Sequence, residues 1–424
     1  MGYHEYDPRH IQYGQSHSKE PIPTLPYDLI VDIVHHFKGD LETLTTCALV
    51  CHQWYGAARP LMYETVTIYN ATRAQELYEM IGAAPIIGQW IKEISFDLLN
   101  HDIEDPENVD IDPNWLGADV FMRLEGRLPS LRCISFIATH HDDICHAALF
   151  DALSRFRTVR HVSSYLCHHT ATFLTFLSRF PLLETLSLKR STFSIVDLTG
   201  FPPNLSLPHL SDLHVTGCSN NQHHVRAWLN SAITASSLRS LTVDVRHEYY
   251  VEETNELLKN AGSNLQFLDI KFPLKPEYPN ASVGMSCPPR RDNGWPPASR
   301  EVVMERIDLR HNTGLRGLTI YTPDSPEFVG LLDQVSGSRI RTVDIVLQLS
   351  RLPRMKREDY EALDERLVRS DFRHLEEVHV VCEGLAEQYD LSQNIWESID
   401  SVTCKVHQLF PSVSNRGILR VTTG

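Results

Sequence analysis

From residue 91 onward the chain returns to one arrangement: an apolar position, two variable ones, an apolar position, one variable, and another apolar position. Clear copies place apolar residues at Leu131, Ile134 and Phe136, at Leu183, Leu186 and Leu188, at Leu210, Leu213 and Val215, at Leu238, Leu241 and Val243, and at Leu265, Leu268 and Ile270. Looser copies run from Ile91 to Phe96, from Leu315 to Ile320, from Ile340 to Ile345 and from Leu375 to Val380, and the copy at Val159 and Val162 is truncated. First positions from Leu183 recur at intervals of 27, 28 and 27 residues. The end of each copy alternates apolar and polar like a strand, whereas the stretch before it often carries helical spacing, as in 145–153, 225–229 and 360–367. One helix and one short parallel strand per repeat predict an α/β solenoid.

The period lies within the roughly 20 to 29 residues of a leucine-rich repeat, and residues 86–424 resemble that family in degenerate form. The family pattern places Asn or Cys three positions beyond the last apolar residue, and only Cys218 does so cleanly. An α/β domain with one parallel sheet is the alternative. Fifty residues separate Leu265 from Leu315, and the excess includes a proline-rich insertion, 271–300, with seven prolines in thirty residues. Such a segment continues neither a helix nor a central strand, and is read as a surface insertion or a partner-binding loop. Residues 97–113 hold seven acidic residues and no Lys or Arg, which fits a solvated loop better than a site for a basic partner.

The first part of the chain follows a different rhythm. After a short lead, 1–20, Leu29, Ile30, Ile33, Val34 and Phe37 fall at helical spacing behind Pro26, which suits a first turn. Gly39 can end that helix in a left-handed conformation, and Asp40 can cap a second carrying Leu41, Leu44, Cys47 and Ala48. A third short helix would hold Cys51, Trp54 and Ala58 and end near Pro60. Three helices in about forty residues bury too little apolar surface to be secure alone. A bundle that keeps more apolar residues than its interior can use is expected to dock on something else.

The ordered series Leu25-Pro26, Leu29 and Ile33, then Asp40-Leu41 and Leu44, then Cys47, Leu49-Val50-Cys51 and Trp54 resembles an F-box. Tyr27-Asp28 and His52-Gln53 depart from the pattern. Together the two resemblances imply an α/β chain with a small N-terminal three-helix F-box, 21–63, and a leucine-rich-repeat-like solenoid, 64–424. By resemblance, the F-box docks a SKP-type adaptor and through it a cullin-RING ubiquitin ligase of SCF type, while the repeats hold the protein to be ubiquitylated. Position by position, the adaptor-facing residues implied are Leu25, Pro26, Leu29, Ile33, Leu41, Leu44, Val50, Cys51 and Trp54. Ubiquitin transfer would then belong to partner subunits, and the chain itself would not be an enzyme. The alternative is a ligase-independent repeat scaffold.

Composition narrows the partners further. The 424 residues carry 54 acidic against 39 basic side chains, a formal charge of −15 that repels a phosphate backbone, so nucleic acid is not expected as a partner. No apolar run reaches the roughly 18 residues of a membrane span, and the first residues lack the order of a signal peptide. Nine scattered cysteines read as reduced thiols, which places the protein in the cytoplasm or nucleus. Cys47, Cys51 and His52 supply only part of a metal site, and the histidine pairs at 140–141, 168–169 and 223–224, the first near Cys145 and His146, are expected neighbours among 22 histidines. Neither a metal nor a cofactor is expected. Nucleophile-elbow, phosphate-loop, dinucleotide and zinc-helix motifs are absent from the sequence.

If the repeats stack, the variable positions beside the strand leucines share one open face. They include Lys189, His214, Asp244, Phe267, Asp269, Lys271, Tyr321, Asp344 and His379, with Thr185, Ser187, Asp212, Thr216, Ser240, Thr242, Thr319, Thr342 and Glu377 between them. The set is polar and of mixed charge, which suits a protein or peptide partner.

Overall fold

The computed structural model describes residues 25–97, 117–137, 147–169, 171–193, 207–217, 228–232, 237–245, 249–272, 306–321, 328–335, 339–348, 352, 355, 357–383 and 399–423. Its contacts divide the chain into two compact units, Met1–Glu64 and Thr65–Gly424.

The first unit is a bundle of α1 (Tyr27–His35), α2 (Leu41–Ala48) and α3 (His52–Met62). Pro26 stands one position outside α1 rather than in its first turn, and its carbonyl accepts the Ile30 N–H at 3.2 Å. The helix stops short of Phe37 because the N–H groups of His36, Phe37 and Lys38 tighten to bonds three residues back. Gly39 then turns the chain at φ +92°, a left-handed geometry that favours glycine. Asp40 caps α2, its side chain accepting from the Thr43 N–H at 3.0 Å and the Thr43 hydroxyl at 2.6 Å, which holds the carboxyl below its ordinary pKa. In contrast to the expected end near Pro60, α3 continues to Met62. Pro60 forfeits one helical N–H, but the next residues, Leu61 and Met62, pack against the bundle's core of Ile30, Val34, Leu44, Cys47, Ala57 and Ala58.

The second unit is a repeat solenoid around a parallel sheet. Its strands are β1 (Thr65–Ile68), β2 (Glu93–Asp97), β3 (Cys133–Ile137), β4 (His161–Tyr165), β6 (Thr185–Lys189), β8 (Asp212–Thr216), β9 (Ser240–Asp244), β10 (Phe267–Lys271), β11 (Gly317–Tyr321), β12 (Thr342–Gln348), β13 (Glu377–Glu383) and β14 (Leu419–Thr423), hydrogen-bonded in that order as one 12-stranded sheet. Two short strands, β5 (His168–His169) and β7 (Thr192–Phe193), pair separately. Register is constant. From β2 to β12 the carbonyl just before each strand accepts two N–H groups from the next repeat, as Lys92 does from Arg132 and Cys133 and as Arg341 does from Glu376 and Glu377.

That register stacks the apolar positions into two buried ladders. One runs Ile94, Ile134, Val162, Leu186, Leu213, Leu241, Leu268, Leu318, Val343 and Val378, every member almost wholly removed from water. The other has a single polar member, Ser164 on β4, which explains why the sequence copy there looks truncated. Its hydroxyl lies 3.1 Å from that of Ser191 inside the core, so the pair satisfies itself. Beneath β2 to β6 the ladder meets a cluster of phenylalanines, with Phe96 stacked on Phe136 at 5.4 Å and Phe150 on Phe176 at 4.6 Å. Asp364 is buried in helix Arg357–Leu367 and accepts the Ser412 and Val413 N–H groups at 2.8 and 2.9 Å, tying the last short helix, Pro411–Asn415, to that repeat.

Strands β1 and β14 were not predicted by the repeat pattern, since neither carries its leading leucine. The proline-rich insertion starts later than expected: Lys271 completes β10 and Phe272 is buried behind it, while residues 273–300 lie outside the described residues. Asp97 closes β2, and the rest of the acidic stretch also lies outside them.

Candidate functional surfaces

Two surfaces stand out, one in each unit. In the bundle, the spacing that buries Ile30 and Val34 in α1 leaves Leu25 and Leu29 exposed, along with Tyr27. In α2 the same geometry buries Leu44 and Cys47 and turns Leu41 outward, 59% exposed. The link between α2 and α3 sets Leu49 and Val50 in water at 82% and 62% exposure, with Cys51 beside them. Of the residues the sequence assigned to an adaptor, Leu25, Pro26, Leu29, Leu41, Val50 and Cys51 are therefore on the surface and Ile33 is half-buried. Leu44 is a correction: at 1% exposure it belongs to the core. Trp54 is half-buried and packs against that core, so part of its ring is structural. Leu49 belongs to the ordered series that resembles an F-box but is not among the adaptor-facing residues the resemblance implied, although its place just after the α2 periodicity ends was a readable signal.

Large apolar side chains in water are costly, and Leu25, Leu29, Leu41, Leu49 and Val50 are many for so small a bundle. Cys47 is buried, Cys51 is exposed, and among the described residues no group of three His, Cys, Asp or Glu side chains could hold a metal ion. The histidine clusters at 140–146 and 223–224 lie outside the described residues.

The second surface is the open face of the sheet, where the alternating positions form polar rows. The middle row runs Ser95, Ser135, Ser163, Ser187, His214, Thr242, Asp269, Thr319, Asp344 and His379. Its first half is small and hydroxylic: Ser163 donates to Ser135 at 2.9 Å, and Ser135 donates to Glu93 at 2.7 Å. Its second half carries charge. His214 Nδ1 lies 2.9 Å from the Thr242 hydroxyl, Thr319 donates to Asp344 at 3.1 Å, and His379 stands 3.4 Å from Asp344 and 2.7 Å from the Thr422 hydroxyl. Burial pulls the His214 pKa below its ordinary value, partly offset by Asp212.

The predicted face residues thus converge on one side of the sheet, with different accessibilities. Lys189 and Phe267 are exposed, His214, Asp269, Lys271, Tyr321, Asp344 and His379 are half-buried, and Asp244 is buried. Asp244 is a second correction, because its carboxylate accepts the Gly217 N–H at 3.1 Å and so holds the turn after β8, in the preceding repeat, instead of facing a partner. Around β10 and β11 the side chains form a compact group. Phe267, 51% exposed, lies against Gly317, where an added Cβ would come within 2.8 Å of the ring. The Lys271 ammonium sits 4.0 Å from the centroid of the Tyr321 ring. Asp269 Oδ1 is shielded from water with no hydrogen-bond partner among the described residues, and burial, with Asp344 and Glu383 adding to it against Lys271 and a hydrogen bond with Thr242, pushes the carboxyl up to about 6. Sequence reasoning placed Asp269 on this face but had no signal for its missing partner.

No family model and no curated protein sequence matches the chain. Among solved structures it is similar to an internalin (inlF) from Listeria monocytogenes str. 4b F2365, with 11% identity and a TM-score of 0.28, over 71% of this chain and 64% of that one. The chain spans just under two thirds of that structure's length. Among the described residues no helix is long and apolar enough to cross a membrane.

Proposed function

We propose that this chain is a non-catalytic interaction protein of the cytoplasm or nucleus, with one docking surface in its bundle and another on the open face of its solenoid. Within that reading, the bundle docks a SKP-type adaptor, which brings in a cullin, and the solenoid receives the protein to be ubiquitylated. The observation that carries this is the set of exposed apolar residues, Leu25, Leu29, Leu41, Leu49 and Val50, on a bundle with a six-residue buried core. Their order along the chain is also the order that resembles an F-box. A ligase-independent scaffold is the second reading, favoured by the repeat architecture alone, since twelve parallel strands present a broad polar face whatever the bundle binds.

Affinity purification of the intact chain separates the two. The receptor reading expects an adaptor and a cullin to be retained, and the retention to be lost in Leu41→Asp and Val50→Asp, whose side chains lie outside the core. Retention of other proteins with no adaptor or cullin, unchanged by those substitutions, would leave only the scaffold.

A further inference from the structure

The strand starts permit a narrower statement about what the solenoid takes, resting on the reading of that unit as the partner-binding one. Of the ten residues directly preceding β2 to β13 in the large sheet, six are basic: Lys92, Arg132, Arg160, Arg239, Arg316 and Arg341. The backbone bonds between strand starts hold this row at about 4.8 Å per strand, so the cations cannot drift apart. Elsewhere the solenoid gives its arginines a carboxylate from another repeat: Arg155 has Glu125, Arg179 has Asp151, and within the row Arg160 has Glu184 and Arg341 has Glu376. Arg239 and Arg316 differ. Both are exposed and neither has an ion pair among the described residues. Their neighbours in the row are Ser211, Gln266 and Arg341, and Asp212, the next carboxylate along, accepts the Ser211 hydroxyl. Between the two arginines stands Phe267. Its N–H is bonded to the Arg239 carbonyl at 3.0 Å, and the Arg316 N–H to the Gln266 carbonyl at 2.7 Å. The Phe267 ring is exposed, and its place is fixed by the close approach of Gly317.

Two exposed guanidinium groups whose backbones lie two strands apart, about 10 Å, with an exposed ring between them, are complementary to two anions with an apolar group between. An extended protein segment advances roughly 3.3 Å per residue, so two acidic residues about three positions apart and an apolar one between them match that spacing. A nucleic acid matches it less well. It carries charge at every step, and it would meet Asp212, Asp269 and Asp344 close to the row on a chain of formal charge −15. A basic segment would be repelled by the row itself. We propose that an acidic protein segment lies across the starts of β9 to β11, its carboxylates paired with Arg239 and Arg316 and its apolar side chain on Phe267.

The intact chain is panned against random peptides displayed on phage, and the binders are remade as labelled peptides for affinity measurement. Binders with paired Asp or Glu around an apolar residue are expected. Each should lose about tenfold or more in affinity in the double variant Arg239→Gln, Arg316→Gln, and about fivefold in Phe267→Ala. The double variant Arg73→Gln, Arg123→Gln removes the same net charge from exposed positions on helices Ala71–Ala83 and Ala118–Leu124, and should leave affinity unchanged. The thermal midpoint should not move in Arg239→Gln, Arg316→Gln, which tells a lost contact from a lost fold. A selection without acidic binders, equal losses in the two double variants, or a lowered midpoint in the first overturns the inference. So does a labelled single-stranded oligonucleotide that binds with the same dependence on Arg239 and Arg316, since the row would then serve a nucleic acid. Adaptor retention measured on the same preparations keeps the readings apart: if it persists while acidic peptides fail, only this inference falls.

Discussion

The bundle and the open face of the solenoid expose opposite chemistry. The bundle leaves leucine and valine in water around a small core, whereas the solenoid buries the leucines of its two strand ladders and shows hydroxyls, carboxylates, imidazoles and one phenylalanine on its open face. The difference follows from size. Three helices of 8 to 11 residues cannot enclose all their apolar side chains, and the surplus is available to a partner. Twelve strands backed by helices have interior enough, so what remains outward is set by the odd positions of each strand, which are free to vary in polarity. One surface is expected to bind by apolar burial, the other by direction and charge.

The largest expected effect lies within the bundle. Leu44→Ala should cost about 2 to 5 kcal/mol and open the unit, read as lost amide-exchange protection across α1 to α3. Leu41→Ala, three residues away and in water, should leave that protection unchanged; equal losses in the two variants would erase the distinction between core and docking residues. Ionic strength divides the units next. Raising salt from about 0.1 to about 1 M shortens screening from roughly 10 to 3 Å, and partner binding at the solenoid face should weaken while adaptor retention by the bundle holds.

A smaller effect concerns pH. The Asp269 carboxyl is raised from 3.8 to about 6 in the folded chain, so the fold binds this proton more tightly than the unfolded chain does, and its contribution to stability is lost as pH rises between those values. Asp269→Asn should therefore gain thermal stability above pH 6, on the order of 1 kcal/mol after allowing for screening at a half-buried site, and the gain should vanish below pH 3.8. A gain that persists in acid would assign the effect to something other than this charge. The smallest effect is expected for Glu76→Gln, which breaks an exposed pair with Arg73 at 2.8 Å and should change stability by less than about 0.5 kcal/mol.

The solenoid was legible in the sequence because a leucine every 27 or 28 residues can only be buried in register, and each later copy confirms the one before. Where a copy lacked its leading leucine the reading stopped: β1 and β14 nevertheless join the sheet in register, and Ser164 stands in the ladder because Ser191, 27 residues later, supplies its partner. In the bundle, helical spacing identified the apolar residues but not which of them face inward. Leu41 and Leu44 look equivalent in sequence, and only the packing of α1 and α3 against α2 separates them. Pro60 was overread for a related reason, as the packing of Leu61 and Met62 lies outside any local rule. The face residues could be named from alternation, while the orphan oxygen of Asp269 depends on three neighbouring strands and leaves no trace in its own.

The paired N–H groups that meet one carbonyl at each strand start also bear on how such a chain can change. Gln266 receives Arg316 and Gly317 across an interval of fifty residues in the same manner that Arg239 receives Gln266 and Phe267 across twenty-seven. The solenoid thus keeps count in turns, and the number of residues spent between turns is free. Segments can be lengthened or exchanged between strands without displacing a single side chain of the face. A lineage built this way can revise its loops and its recognition surface as separate inheritances.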